Sequence, residues 1–285
     1  MLAVPGEVQA EDFTQFHSLG NGSTVRIYPP EVILRDMTSR DAMGNLVFSP
    51  EGGWSYNLIE DTDNPLIINK GAGAFFTMDG GEVLKALEAI DVSGRQLEMH
   101  VDIYILPMPR VGFMRSTSYG DKIFLSPGVW EISSATVAAI VTHEFGHCFQ
   151  KAYMPYGDEE DWPLYLSMRG ILDDPAYTEF ASHMNRPSEI FAEDFRVLFG
   201  GSPALGSGMI ENPYLAHPSD VPGLEEMIAS VAGEAVTVPV AAGERVIASI
   251  GNYPNPFNPV TTIRADVSGV LERREGSVKI YAADG

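Results

Sequence analysis

The sequence predicts an α+β fold: a mixed β-sheet laid against one central, mostly buried helix, with a strand-rich N-terminal segment. Three observations carry this expectation. Residues 135–150 run without proline from a Ser133-Ser134 cap, and Val137, Ile140, Val141, Phe145, Cys148 and Phe149 spread apolar surface around most of that helix. Ahead of it stand short apolar or β-branched runs separated by Asn-Gly, Pro-Pro and Gly-Gly, which is strand-and-turn punctuation. Behind it, residues 185–200 return to helical spacing, with Phe191, Phe195 and Leu198 at i, i+4 and i+7.

Composition narrows the class. With 285 residues and 45% hydrophobic content, the chain can bury one large core or two smaller ones. A net charge of −21 argues against nucleic acid as a partner, because a basic patch is the usual footprint there. The single cysteine, Cys148, rules out an intramolecular disulfide and reads as a small core residue. No apolar run approaches the 18 residues of a membrane span. The opening MLAVPGEVQAEDF has no basic start followed by a long apolar stretch, so no signal peptide is expected within it.

Taken in order, residues 1–64 form the strand-rich segment. Val25–Tyr28, Glu31–Leu34, Asn45–Ser49 and Trp54–Ile59 are its candidate strands. Asn21-Gly22-Ser23 fits a glycosylation acceptor but reads as a turn. VPGEVQAEDF resembles the first strand of family-6-like carbohydrate-binding modules over about ten residues. Residues 65–235 are the expected central domain. Gly81–Ile90 has helical period, Met99–Leu106 alternates as a strand, and Lys122–Leu125 is a shorter strand. The stretch Gly120–Ser126 is the candidate sheet edge, open to pairing with an extended peptide or simply an edge.

His143-Glu144-Phe145-Gly146-His147 lies within the central helix. Residues four apart share a helix face, so both imidazoles can reach one Zn²⁺ ion. Glu144 is placed to hold a metal-bound water and take its proton. Burying two histidines and a glutamate with no such partner would be costly. The extended motif of one zinc-peptidase class is absent, since Gln150 stands where a glycine is needed and Tyr153 where a third histidine is needed. Another class of zinc peptidase takes a Glu from a later helix; Glu189 and Glu193 lie one turn apart on one face, and Glu179 and Asp174 are other carboxylates in reach of the same role.

His143–His147 followed by Glu189-Ile190-Phe191-Ala192-Glu193-Asp194-Phe195 resembles the catalytic domain of anthrax-lethal-factor-like metallopeptidases and the related Pro-Pro endopeptidases, over residues 75–200. The resemblance implies a zincin-like domain of gluzincin type, with a mixed sheet and an active-site helix. By it, Glu189 is the third zinc ligand and Glu193 accepts the other N–H of a ligand histidine. The sequence departs from the family in one respect. Ser182 stands seven residues before Glu189, where the family has an oxyanion-donating tyrosine. His183 and Tyr177 are the candidates to replace it.

Asp158-Glu159-Glu160-Asp161 and Asp173-Asp174 could bind calcium or be solvated acidic loops. Residues 203–222 read as irregular, Leu224–Ala232 as a last short helix, and 236–251 as a linker. From Tyr253-Pro254-Asn255-Pro256-Phe257-Asn258-Pro259 through the Thr261–Arg264 strand to Gly276–Tyr281, residues 252–285 resemble the start of the C-terminal sorting domain of type IX secretion cargo. That family forms a small β-sandwich and normally continues beyond the point matching Gly285. The resemblance thus implies a partial β-sandwich tail, poorly ordered or at best two strands, since two strands alone are marginal. It also implies export through the type IX secretion machinery.

The expected function is a secreted or cell-surface bacterial zinc metalloendopeptidase acting on protein or peptide substrates. The alternative is a catalytically silent surface protein of the same fold, an adhesin or a glycan-recognition module.

Overall fold

A computed structural model of the chain describes residues 15–50, 54–155, 158–206, 208, 210–232, 249–253 and 262–266. The opening VPGEVQAED, most of the 236–251 linker, Pro254–Pro259 and the Gly276–Tyr281 strand lie outside the described residues. The chain divides into two units, Met1–Thr237 and Val238–Gly285.

The first unit is mixed α+β. Its main sheet has the order β1 (Gln15–Ser18), β2 (Thr24–Tyr28), β6 (His100–Ile105), β8 (Lys122–Leu125), β7 (Thr117–Tyr119). The three central strands are parallel, and each outer strand is antiparallel to its neighbour. Segments 1–64 and 65–235 therefore share one sheet, joined by β2 against β6. A smaller antiparallel sheet comprises β3 (Thr38–Arg40), β4 (Leu46–Phe48) and β5 (Tyr56–Asn57).

The two-residue period of the strands splits the core into two layers. Val25 and Ile27 of β2, Val101, Ile103 and Ile105 of β6, and Ile123 and Leu125 of β8 enter the larger cluster. There they meet α2 (Gly80–Glu88), α3 (Ser134–Tyr153) and α5 (Pro187–Phe199) through Leu87, Phe145, Phe149 and Phe195. The intervening residues Tyr28, Tyr104 and Phe124 belong to the second cluster on the opposite face. Register places these three rings side by side: Tyr28 stacks on Tyr104 at 4.6 Å and Tyr104 on Phe124 at 5.1 Å. Such pairs add about 0.5–1.5 kcal/mol each beyond burial.

Three expectations need correction. Glu31–Leu34, read as a strand, lies in α1 (Pro30–Asp36). Pro30 sits at the first helical position, where its fixed φ and missing N–H suit a helix start, and Val32 and Ile33 bury against the second cluster. The sheet edge is β7, not Gly120–Ser126. A two-residue turn at Gly120-Asp121, with Gly120 at φ +66°, folds Thr117–Tyr119 back along β8 and covers it. Residues 203–222 are only partly irregular, because α6 (Gly201–Leu205) packs on α3 and a 3-10 turn covers Pro218–Asp220.

Other readings hold. Ser133 caps α3 by accepting the Thr136 N–H at 3.2 Å. The Asn21-Gly22-Ser23 turn is internal. Asn21 is buried, donates to the Ile90 carbonyl at 3.1 Å and accepts the Ser23 N–H at 3.0 Å. A short α4 (Asp161–Met168) and α7 (Leu224–Ser230) complete seven α-helices among the described residues. None of these is long and apolar enough to cross a membrane. In the second unit, β9 (Ser249–Tyr253) and β10 (Thr262–Asp266) pair antiparallel, with Thr262 opposite Tyr253.

Candidate metal centre

The site begins with the helical repeat of α3. His143 and His147 are one turn apart, and their rings stand 5.0 Å apart at 85° to one another. The opposite face, with Val141, Phe145, Cys148 and Phe149, is locked in the larger cluster, so the helix cannot rotate the histidines away without exposing it. The second wall is α5. Phe191, Phe195 and Phe199 bury its apolar stripe, which turns Glu189 and Glu193 back toward α3. The two helices approach closely at Gly146. A Cβ there would lie 3.0 Å from Ala192 Cα and 3.0 Å from Phe195 Cβ.

That approach brings three donor atoms together. Glu189 Oε2 lies 3.2 Å from His143 Nε2 and 3.2 Å from His147 Nε2. Ligands at about 2.0–2.1 Å from a tetrahedral zinc ion are roughly 3.3 Å from each other, so two imidazoles and a carboxylate at this spacing fit Zn²⁺ in chemistry and in size. The three atoms lie within 4.8 Å of one another, and among the described residues no other three His, Cys, Asp or Glu side chains meet that condition. Glu144 is buried, borders the same cavity, and its Oε2 has no hydrogen-bond partner among the described residues. An acceptor left open in a buried site fits a water or substrate group held there.

Behind these three side chains lies a polar support. Glu193 Oε2 is 3.4 Å from His143 Nδ1, which fixes that ring with Nε2 toward Glu189. Arg196 donates to both Glu193 oxygens, from Nε at 2.8 Å and Nη2 at 2.7 Å, and the Glu211 N–H adds a third bond at 2.9 Å. Burial pushes the Glu193 carboxyl up, but Arg196 and His143 outweigh it and hold it down at about 2. Burial likewise pushes His143 down, and its bonds to Glu189 and Glu193 overcome that and raise it to about 10. Glu189 is held well below the carboxylate range by the two histidines, against the opposing effect of burial.

The centre opens into a cavity of about 1060 Å³, bordered by α3, α5, β7, Tyr56 of β5 and the loop around Phe113. His143, Glu144, His147, Glu189, Glu193 and His183 all border it. His183 Nε2 is 3.5 Å from Glu189 Oε2, and its Nδ1 is 2.8 Å from Glu211 Oε1. Tyr177 is not among the lining residues. It sits in a turn where its N–H reaches the Asp174 carbonyl at 3.0 Å. Arg196, Glu211 and Arg110 also border the site, and nothing in the local sequence marked Glu211 or Arg110. The spacing of Glu193 and Arg196, three apart on one helix face, was the one available signal.

The other acidic groups serve local structure. Asp158 Oδ1 accepts the N–H groups of Glu160, Asp161 and Trp162, stitching the start of α4, and those bonds lower its carboxyl pKa. Asp174 Oδ1 accepts from the Ala176 N–H at 2.9 Å. Cys148 is a core residue whose thiol burial pushes far above its ordinary range. No family model, curated protein or solved structure matches this chain.

Proposed function

We propose that the chain is a zinc-dependent metalloendopeptidase of gluzincin type on a zincin-like fold. The observation that carries this reading is the convergence of His143, His147 and Glu189 beside the buried, open-sided carboxylate of Glu144. His143, His147 and Glu189 would hold the ion, leaving a fourth position free, as catalytic zinc sites do. When bound there, zinc supplies Lewis-acid polarisation of a carbonyl and a lowered pKa for water.

The remaining work falls to side chains of this chain. Glu144 accepts the proton of the attacking water and returns it to the leaving amine, so one carboxylate is base and then acid. Glu193 keeps the His143 ring oriented, and Arg196 keeps Glu193 in place. His183 borders the cavity beside Glu189 and is the candidate donor to a developing oxyanion, a contribution of roughly 10²–10³-fold in rate. The outer side of β7 offers unpaired backbone groups to an extended peptide.

Zinc by mass spectrometry and cleavage of a mixed peptide library test this reading. About one zinc per chain is expected in the wild type, with zinc lost or much weakened in Glu189→Ala. Cleavage should be abolished in Glu144→Gln with zinc retained. A Glu144→Gln protein that cleaves like the wild type overturns the mechanism, and a wild type that takes up no zinc overturns the centre.

The Tyr253–Pro259 run and the strand after it support export, by the type IX secretion route, to the medium or surface of a bacterium. Deleting residues 252–285 should keep the protein inside a host that carries this machinery; unchanged release would refute the route.

A further inference from the structure

Arg110 is the largest fully buried side chain among the described residues, at 1% exposure, yet it borders the cavity. Its guanidinium lies over three rings: Phe124 at 4.5 Å, Tyr56 at 4.9 Å and Phe113 at 5.3 Å. Nη2 donates to Thr117 Oγ1 on β7 at 2.6 Å, and Nε has no hydrogen-bond partner among the described residues. Three arginines are buried in the described part of the chain, and the other two each have a carboxylate: Arg169 with Asp194 at 2.9 Å and Arg196 with Glu193 at 2.7 Å. Arg110 has none. Aromatic faces stabilise a cation but leave its N–H groups unsatisfied. A buried guanidinium with an unsatisfied donor in the wall of a cavity is a half-made ion pair. Arg115 and Lys151 border the same cavity, Lys151 resting over Tyr119 of β7, so cations gather at this strand in a chain whose net charge is −21.

We propose that Arg110 is the anchor of an anion subsite that selects peptides by a carboxylate, either an Asp or Glu side chain or the C-terminal carboxylate, on a segment lying along β7. The proposal rests on the peptidase reading for its substrate and deepens it. An incoming carboxylate completes the bond at Nε and stabilises a charge that burial disfavours; burial alone holds the Arg110 pKa below its ordinary value, and a carboxylate would restore it. The planar fork matches a carboxylate, which lysine does not. The aromatic cage keeps the guanidinium in place before substrate arrives, so little ordering is left to occur on binding.

The test uses the full-length protein and paired peptides that differ only by Glu or Gln at one position, or by a free or amidated C-terminus. With the zinc-loaded wild type, the acid-bearing peptide of one pair is expected to have a kcat/KM roughly 10- to 100-fold higher than its neutral partner. The pair that shows the preference tells side-chain from C-terminal recognition. In Arg110→Gln the ratio should fall to about one. Should that variant not fold, Arg110→Lys replaces it, and loss of the fork should still cut the ratio. A wild-type ratio near one, or a ratio undiminished by substitution, overturns the subsite.

Binding of the same labelled peptides to Glu144→Gln, by fluorescence anisotropy with and without a chelator, separates this proposal from the peptidase reading. An acid preference in binding that depends on Arg110, with no cleavage by wild type, sinks the peptidase and keeps the subsite. Cleavage with no acid preference in either assay does the reverse.

Discussion

Gly146 joins packing to chemistry, and Gly146→Ala puts that link to a test. The added methyl would meet Ala192 Cα at 3.0 Å, Phe195 Cβ at 3.0 Å and the Ala192 carbonyl oxygen at 3.1 Å. Carbon–carbon contacts are most favourable at about 3.5–4.0 Å, so α3 and α5 must part by about half an ångström. Two of the three atoms are backbone and cannot swing aside. Overpacking of this kind costs about 1–3 kcal/mol. The exchange also recovers about 1 kcal/mol of helix propensity. The net expectation is a loss of ~0–2 kcal/mol by urea unfolding of the metal-free protein. The effect on the site should be larger. Ala192 is three residues from Glu189 on the same helix, and a zinc site tolerates about ±0.2 Å in its ligand distances. Zinc affinity, measured by chelator competition, should therefore fall by about 10–100-fold. A variant more stable than wild type with unaltered zinc affinity would refute the idea that this contact sets the distance between the ligand helices.

Further predictions concern the support behind the site. Glu193→Gln removes the charge facing Arg196, whose side chain is 4% exposed, so about 3–5 kcal/mol of stability should be lost, together with about tenfold in zinc affinity. Urea unfolding and chelator competition read the two effects separately, and a change in neither would show that Glu193 neither pairs nor orients. Asp194→Ala breaks a buried set in which Tyr165 donates to Asp194 at 2.7 Å and Arg169 pairs with it at 2.9 Å. It should cost about 3–5 kcal/mol in the same unfolding assay while leaving zinc stoichiometry alone, and a smaller loss would mean the pair is not sealed from solvent.

In the metal-free chain His143 is raised from 6.5 to about 10, so its stabilising bonds are fully present below pH 6.5 and are lost as pH rises through about 10. Glu189 and Glu193 are lowered, so their share is present above pH 4.5 and lost as pH falls through their folded values. Zinc competes with the His143 proton, so affinity should rise with pH up to about 10, and calorimetry near pH 7 in buffers of differing ionisation heat should detect about one proton released. A flat profile would mean that His143 is neutral before the metal arrives.

Much of the centre was legible because it depends on local spacing. His143 and His147 share a face whatever surrounds the helix, and Ser133 caps it through a bond only three residues long. Glu189 and Glu193 sit one turn apart for the same reason. The alternation in Met99–Leu106 marked a strand, though not that both of its faces are buried. The strand reading of Glu31–Leu34 failed because Pro30 could begin a helix, and the packing of Val32 and Ile33 decided the outcome.

The sequence by itself determined that His143 shares a helix face with His147 and Glu189 with Glu193, the buried helix that carries the histidines and the α+β class, since these follow from 3.6- and two-residue periods. Only the tertiary structure decided which strand is the sheet edge, that His183 borders the cavity while Tyr177 does not, and that Arg110 Nε finds no hydrogen-bond partner among the described residues. Edges, cavities and missing partners arise from contacts between residues far apart in the chain. Arg110 lies 54 positions from Tyr56 and 14 from Phe124, and no local pattern encodes that meeting.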